Sequence, residues 1–315
     1  MEIRTITERD SAAVRDLFAL CFNKELSQEE WTWKYMDSVW GSSATIAVEG
    51  EEIIAHYGGL KMNFSSEGRN LTAYQPCDVM THPKYRARIF SKRGAMVRAG
   101  EDFFGTNPMD FAFGFPSERH AVLGTRQLGY TEHNFVSVLR KKVSGPVMMW
   151  SPLLKVETGW NAIDKTEIDD LWTETKGGHR LSIDKHSGYI FWRYRDNPVR
   201  RYETLVVRSR FNRTPLAFVV FSIRHNELLI LDFFIGDGMN KVTLLKIIEN
   251  MAFNHNIDSI ILWANPEEKI FSTISRCGYR SEKGVPYIFK IMNKEITPGF
   301  LFKNYCLRQG DYDAS

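Results

Sequence analysis

The chain carries one pattern twice, and that repeat limits what it can fold into more than any single motif does. Trp33-Lys34-Tyr35 closes a polar stretch, and Ala44 to Lys61 alternates as two strands around Gly50. Asp78 then opens an apolar run, and Gly129-Tyr130 follows a helix-like segment. In the second half Trp192-Arg193-Tyr194, the runs Glu203–Arg208 and Leu216–Arg224, Asp232 in its own apolar run, and Gly278-Tyr279 return in that order. Trp192 follows Trp33 by 159 residues, Asp232 follows Asp78 by 154, and Gly278 follows Gly129 by 149, each close to half of 315. Two copies of one domain, 1–145 and 146–315, are the simplest expectation.

With 43% hydrophobic and 13% aromatic residues, a chain of this length can bury two cores. No run approaches the eighteen or so apolar residues of a membrane span, and Met1-Glu2-Ile3-Arg4 begins in strand-like sequence without a secretory signal. A cytoplasmic protein is expected. Cys21, Cys77, Cys277 and Cys306 are widely spaced, with no CxxC and no histidine at ligand spacing, so neither a metal site nor a disulfide framework is indicated. A net charge of +3 does not by itself imply nucleic acid. Lys84, Arg86, Arg88, Lys92 and Arg93 do form a local basic cluster, which reads as a solvated helix start or as a face for a polyphosphate.

The periodicities predict a strand at Glu2–Thr5, a helix over Asp10–Cys21, a hairpin from Thr45–Val48 and Ile53–Tyr57, and a strand over Leu71–Met80. Pro83 ends that strand, and a helix is expected from about Ile89 to Phe104. Met109–Phe115 reads as a strand, Ser117–Leu128 as a helix and His133–Arg140 as a strand. Pro146–Gly159 reads as a connector. In the second half a helix over Lys165–Thr175 precedes strands at 205–208, 217–223 and 228–235. Helices at 242–253 and 267–276, with strands at 259–263 and 287–291, complete it. The fold class is therefore α/β, of the α+β kind, with a mixed, mainly antiparallel sheet flanked by helices.

The run Asp78-Val79-Met80-Thr81-His82-Pro83-Lys84-Tyr85-Arg86-Ala87-Arg88-Ile89-Phe90-Ser91-Lys92 resembles the cofactor-binding stretch of the GNAT superfamily of acetyltransferases. In that superfamily an apolar strand, a His-Pro, an aromatic residue and Arg/Gln-x-x-Gly-x-Gly/Ala lead into a helix. Phe113–Glu118 with Leu128-Gly129-Tyr130 resembles the next strand, helix and Gly-aromatic ending. Trp192-Arg193-Tyr194, Asn197-Pro198 and the terminal Gly310-Asp311-Tyr312-Asp313 resemble the tandem members, which carry two such domains. The sequence departs from the pattern where Ile89 stands at the first glycine, or where one residue is deleted.

The resemblance implies an acyl-CoA, most simply acetyl-CoA, bound by the N-terminal domain. Val79 and Met80 would offer a strand edge to the pantetheine arm, and Arg86, Ala87, Arg88, Ile89, Phe90 and Ser91 a loop to the pyrophosphate. A tight turn entering a helix presents free N–H groups to such an anion. In the second domain Gly236-Asp237-Gly238 could form a similar nest, but Asp237 would repel phosphate, so a degenerate site is expected there. Amine attack on a thioester needs a proton acceptor and an acid for the leaving thiolate. The tyrosine that often serves as that acid is replaced by Thr125, which leaves Tyr130 as the nearest phenol. Asp78, Glu118 and His120 are the other candidate catalytic groups. Each has a plainer role available: ion-pair partner, first-turn helix charge, exposed first-turn residue, and packed aromatic for Tyr130. The aromatic sets Trp31/Trp33/Tyr35 and Trp192/Tyr194 line an acceptor pocket between domains or pack in the core. Asp311 and Asp313 pair with a basic substrate, pair with arginines such as Arg193 and Arg195, or belong to a frayed, solvated end.

The function expected is transfer of an acyl group to a primary amine of a small molecule such as an amino sugar. No nucleic acid and no metal are expected to take part. The alternatives are a longer acyl donor and a non-catalytic binding protein of the same fold.

Overall fold

Strand β1 (Glu2–Thr5) lies antiparallel to β2 (Ser42–Glu49), which turns at Gly50 into β3 (Glu52–Ser66). Gly50 takes φ +63°, a left-handed conformation that a residue without Cβ adopts at no steric cost. The structure is a computed structural model and describes residues 1–66, 68–88, 94–148, 151–178 and 180–312. The meander continues with β4 (Arg69–Thr81), and the N-terminal half ends with β5 (Phe111–Gly114) and β6 (Asn134–Lys142). The second half adds β7 (Leu154–Thr158), β8 (Ser182–Ile183), β9 (Glu203–Ser209), β10 (Pro215–Arg224), β11 (Glu227–Ile235), β12 (Ser259–Trp263) and β13 (Arg280–Ile291).

These strands join into one mixed sheet in the order β1-β2-β3-β4-β5-β13-β6-β12-β11-β10-β9-β7, with β8 on the far end of β3. The two halves exchange strands. The last strand of the first half, β6, lies antiparallel between β12 and β13, so it is built into the second half's sheet. The last strand of the second half, β13, bends near Pro286 and passes from β6 onto β5.

Helix α1 (Ser11–Phe22) covers one face of β3 and β4 with Val14, Leu17 and Phe18. Helix α2 (Gln28–Trp31) runs into a π turn at Thr32–Met36. On the opposite face α3 (Ala95–Thr106) and α4 (Glu118–Leu128) enclose a second core around Tyr57, Phe103, Phe104 and Leu128. Ser117 caps α4, and Gly129 closes it at φ +68°. In the second half α5 (Lys165–Lys176), α6 (Ser187–Ile190), α7 (Lys241–Asn254), α8 (Lys269–Arg276) and α9 (Pro298–Asn304) take corresponding or terminal positions.

The repeat is literal where the halves meet. Like α2, α6 runs into a π turn, Phe191–Arg195, at the same offset as the two tryptophans. Trp33 Nε1 donates to the carbonyl of Trp192 at 2.7 Å, and Trp192 Nε1 donates to the carbonyl of Trp33 at 2.9 Å, across stacked rings. Each indole thus satisfies its one donor on the other copy, as a buried polar group must.

Three sequence expectations need correction. The connector Pro146–Gly159 contains the edge strand β7, paired with β9. The last strand begins at Arg280, not Tyr287, because its first half pairs with β6. The C-terminal segment is not frayed through residue 312: Asp311 is 1% exposed and anchored on the core. Asp313 lies outside the described residues.

Candidate active site

Parallel strands β4 and β5 pair over only two residues, Ala73 with Phe111 and Tyr74 with Ala112. Just beyond that closed end Thr72 and Asp110 clamp the strands: the Asp110 N–H donates to the Thr72 carbonyl, and the Thr72 N–H to the Asp110 carboxylate. Past Tyr74, β4 stays with β3 and β5 with β13, so the two separate. From Gln75 to Thr81 the outer edge of β4 has no strand partner among the described residues. The gap is a cavity of about 590 Å³ that reaches both faces of the sheet. Cys21, Phe22, Cys77 and Asp78 line it on the α1 side; Tyr57, Met96, Leu123 and Tyr130 line it on the α3–α4 side.

At the middle of that edge β4 bulges. Gly58 pairs with Cys77 and His56 with Met80, so Asp78 and Val79 together oppose Tyr57 alone. Asp78 has φ +48°, a left-handed conformation that aspartate tolerates better than most residues. Its carboxylate accepts from Lys34 Nζ at 2.9 Å and from the Tyr35 hydroxyl at 2.6 Å, and its carbonyl lies 2.8 Å from His56 Nδ1. Burial pushes the Asp78 carboxyl up, but the charge of Lys34 and the bonds from Tyr35 and Lys34 outweigh it and leave the group below its ordinary range. The π turn at Thr32–Met36 is what brings Lys34 and Tyr35 to this point.

Val79, Met80 and Arg86 line the cavity, and Arg86 Nε donates to the carbonyl of Thr81 at 3.0 Å. His82 supports the turn into Pro83–Arg88 by accepting from the Lys84 N–H. Ala87 and Arg88 end that turn; their side chains, and Ile89, Phe90 and Ser91 altogether, fall outside the described residues. His120 stands at the rim, its Nδ1 2.9 Å from the Ser117 hydroxyl. Partial burial, with Arg119 and Arg86 nearby, lowers its pKa. Glu118 is exposed and points to Lys283 at 4.0 Å, off the cavity wall. Tyr130 lies in the wall, its hydroxyl 2.9 Å from that of Tyr57, and burial keeps its phenol protonated far above neutral pH. Thr125 is committed to the carbonyls of Ala121 and Thr131.

The sequence reading missed Lys34, Tyr35 as an Asp78 ligand, Tyr57 and Cys77. The repeat itself was the available signal for Lys34 and Tyr35, since Trp-Lys-Tyr and Trp-Arg-Tyr stand at matching positions. Trp31, Trp33, Tyr35, Trp192 and Tyr194 are buried in the core, and Trp33 and Trp192 also edge a cleft between the π turns. Among the described residues no group of three or more His, Cys, Asp or Glu side chains is placed to hold a metal, and no helix is long and apolar enough to cross a membrane.

Residues 2–132, which hold this splayed pair of strands, match the family model described as an acetyltransferase (GNAT) domain. The first half of the chain is thus similar to a GNAT acetyltransferase domain. Its fold is similar to that of an Enterococcus faecalis V583 protein described as a probable N-acyltransferase, with TM-score 0.73 at 13% identity over 93% of this chain and 73% of that one. It is similar to a tandem GNAT protein from the clavulanic acid biosynthesis pathway, with TM-score 0.58 at 10% identity over 91% and 98% of the two chains. It is also similar to Saccharomyces cerevisiae N-myristoyltransferase with bound myristoyl-CoA, with TM-score 0.57 at 10% identity over 92% and 82%. At these identities the likeness is one of fold. No curated protein sequence matches the chain.

The second half of the chain repeats the Tyr–Asp pair and surrounds it differently. The Tyr194 hydroxyl donates to Asp232 at 2.8 Å, as Tyr35 does to Asp78. Lys185 bridges Asp232 and Asp311, 2.8 and 2.7 Å away. Arg193, the counterpart of Lys34, donates to the carbonyls of Gly310 and Tyr312. The turn Gln309–Asp311 thereby packs on β11. At the loop after β11, the N–H of Asp237 is taken by Glu174 Oε1 at 2.7 Å, and a Cβ on Gly236 would meet that same carboxylate.

Proposed function

We propose that this protein is an acyl-CoA-dependent N-acyltransferase with one active site, in the N-terminal domain of residues 1–145. The domain of residues 146–315 is read as degenerate in cofactor binding. The observation that carries the proposal is the parting of β4 from β5 after Tyr74, which leaves a strand edge with the Asp78 bulge along a mostly apolar cavity. An acyl-pantetheine arm fits such a slot: it needs backbone partners along its amides and apolar walls between them. Val79 and Met80 supply the edge. Arg86, with the segment through Ser91, receives the phosphates by charge-assisted bonds.

The acceptor is read as a primary amine of a small molecule such as an amino sugar, and the donor most simply as acetyl-CoA. Asp78, held as an anion by Lys34 and Tyr35, is suited to orient an ammonium group at the gap in the sheet and is too acidic to be an efficient base near neutral pH. His120, neutral at that pH because its pKa is lowered, is the better proton acceptor. Tyr130 keeps its proton and is the acid available to the departing thiolate. Glu118, turned to solvent, is read as a first-turn helix charge.

The test is thermal stability with acetyl-CoA, free CoA and a longer acyl-CoA. A ligand at about a hundred times its dissociation constant adds roughly 2.7 kcal/mol, and so raises the melting temperature. No shift with any of the three would overturn the donor site. The apolar lining by Phe22, Met80, Met96 and Leu128 supports a second reading, a longer acyl donor. A larger shift with the longer acyl-CoA than with acetyl-CoA would select it.

A further inference from the structure

His56 lies outside the groups assigned a chemical role above. It sits on β3, is fully buried and has its ring edge-on to Tyr35. Its Nδ1 meets the carbonyl of Asp78 at 2.8 Å. A carbonyl only accepts, so Nδ1 carries the proton and the lone pair is on Nε2. Burial lowers the pKa of this ring, consistent with a neutral imidazole in that tautomer.

The bond answers a problem created by the bulge. Two residues of β4 oppose one of β3, so the ladder cannot pair every backbone group, and an unpaired buried carbonyl is costly. A side chain from β3 takes the place of the missing backbone donor. Gly58 makes the arrangement possible: a Cβ there would lie 2.7 Å from His56 Cε1 and 2.6 Å from the Tyr35 hydroxyl. Asp78 is thus gripped at three points, its carboxylate by Lys34 and Tyr35 and its carbonyl by His56, while Val79 and Met80 follow it along the cavity.

We propose that His56 is a positioning residue of the donor site, holding the β4 bulge through the Asp78 carbonyl so that the edge at Val79 and Met80 keeps the shape an acyl-CoA binds. The inference rests on the donor-site reading above. It separates binding from stability: the bulge can loosen locally while the flanking pairs Gly58–Cys77 and His56–Met80 hold the sheet, and the cost then falls on the ligand.

The experiment is calorimetric titration of acetyl-CoA into the full chain carrying H56L or H56N, below each variant's melting transition. Leucine fills similar space with no donor, whereas the asparagine amide nitrogen stands as many bonds from the backbone as Nδ1. H56L should weaken binding about tenfold or more, the scale of one unpaired buried carbonyl, and H56N should restore most of it. A folded H56L that binds like the wild type overturns the proposal. If the wild type binds no acyl-CoA, the donor-site reading fails instead, and nitrogen-detected NMR of the wild-type ring then decides the His56 contact. The Nδ1–H tautomer supports it, and the Nε2–H tautomer overturns it. The same NMR measurement serves if H56L does not fold.

Discussion

The two halves hold the same tyrosine–aspartate pair and use it in opposite ways. In the first, Asp78 borders the gap between parted strands with Tyr35 behind it, and Lys34 is the nearby cation. In the second, Tyr194 and Asp232 are roofed by the chain's own Gly310-Asp311-Tyr312, with Lys185 pinned between two carboxylates. Gly310 fits only because it lacks a Cβ, which would run into the Tyr194 hydroxyl. The difference teaches that one polar pair can either border an open cavity or serve as an anchor, depending on whether something of the protein's own fills the space above it. The loop after β11 has the same character, with Glu174 occupying the N–H that an anion would need.

The sharpest test of that contrast is Lys185→Met against Lys34→Met. Removing Lys185 leaves Asp232 and Asp311 buried with no cation between them, and a broken buried pair of this kind costs about 3–5 kcal/mol. Lys34→Met should cost clearly less, since Asp78 keeps Tyr35 and borders the cavity. Equal losses in urea denaturation would break the comparison. Next in size, Arg86→Ala should weaken acyl-CoA binding by roughly tenfold, the scale of a charged hydrogen bond. Asp237→Ala should leave it unchanged, and a calorimetric loss with the latter would move a binding site to the second half. The smallest effect concerns acid. The Asp78 carboxyl is below its ordinary range in the folded state, so its contribution to stability is present above the unfolded-state value and is lost as pH falls through the lowered one. Asp78→Asn should flatten the stability–pH curve in that window, and an unaltered slope would show that Lys34 and Tyr35 do not hold the charge.

Much of this was legible in the residues, for reasons that also mark where legibility stopped. Trp33 and Trp192, Asp78 and Asp232, and Gly129 and Gly278 do occupy matching places, because helix ends and strand patterns are local. Val79, Met80, Arg86, His120 and Tyr130 all line one cavity. Local pattern cannot say which strand lies beside which, so the exchange of β6 and β13 was invisible: both alternate like any half-buried strand. Edge strand β7 escaped because Gly145, Pro146, Pro152 and Gly159 punctuate its surroundings like a linker. Asp311 looked solvated because its partner, Lys185, is 126 residues away in sequence. Tyr57 gave no sign beyond strand alternation, although its hydroxyl reaches Tyr130 across the core.

The exchanged strands also set a clock. Strand β5 forms one wall of the parted pair, and its other neighbour is β13, whose residue Ile288 lies opposite Gly114. At roughly 5–20 residues per second of synthesis, that neighbour arrives on the order of ten seconds after β5 has been made. The first half therefore leaves the ribosome with an open sheet edge on β5, and its cavity gains the Ile288 wall only once β13 has been made. A message cut short upstream of that point yields a first half in which β5 lacks its second neighbour and the cavity lacks the wall that Ile288 provides.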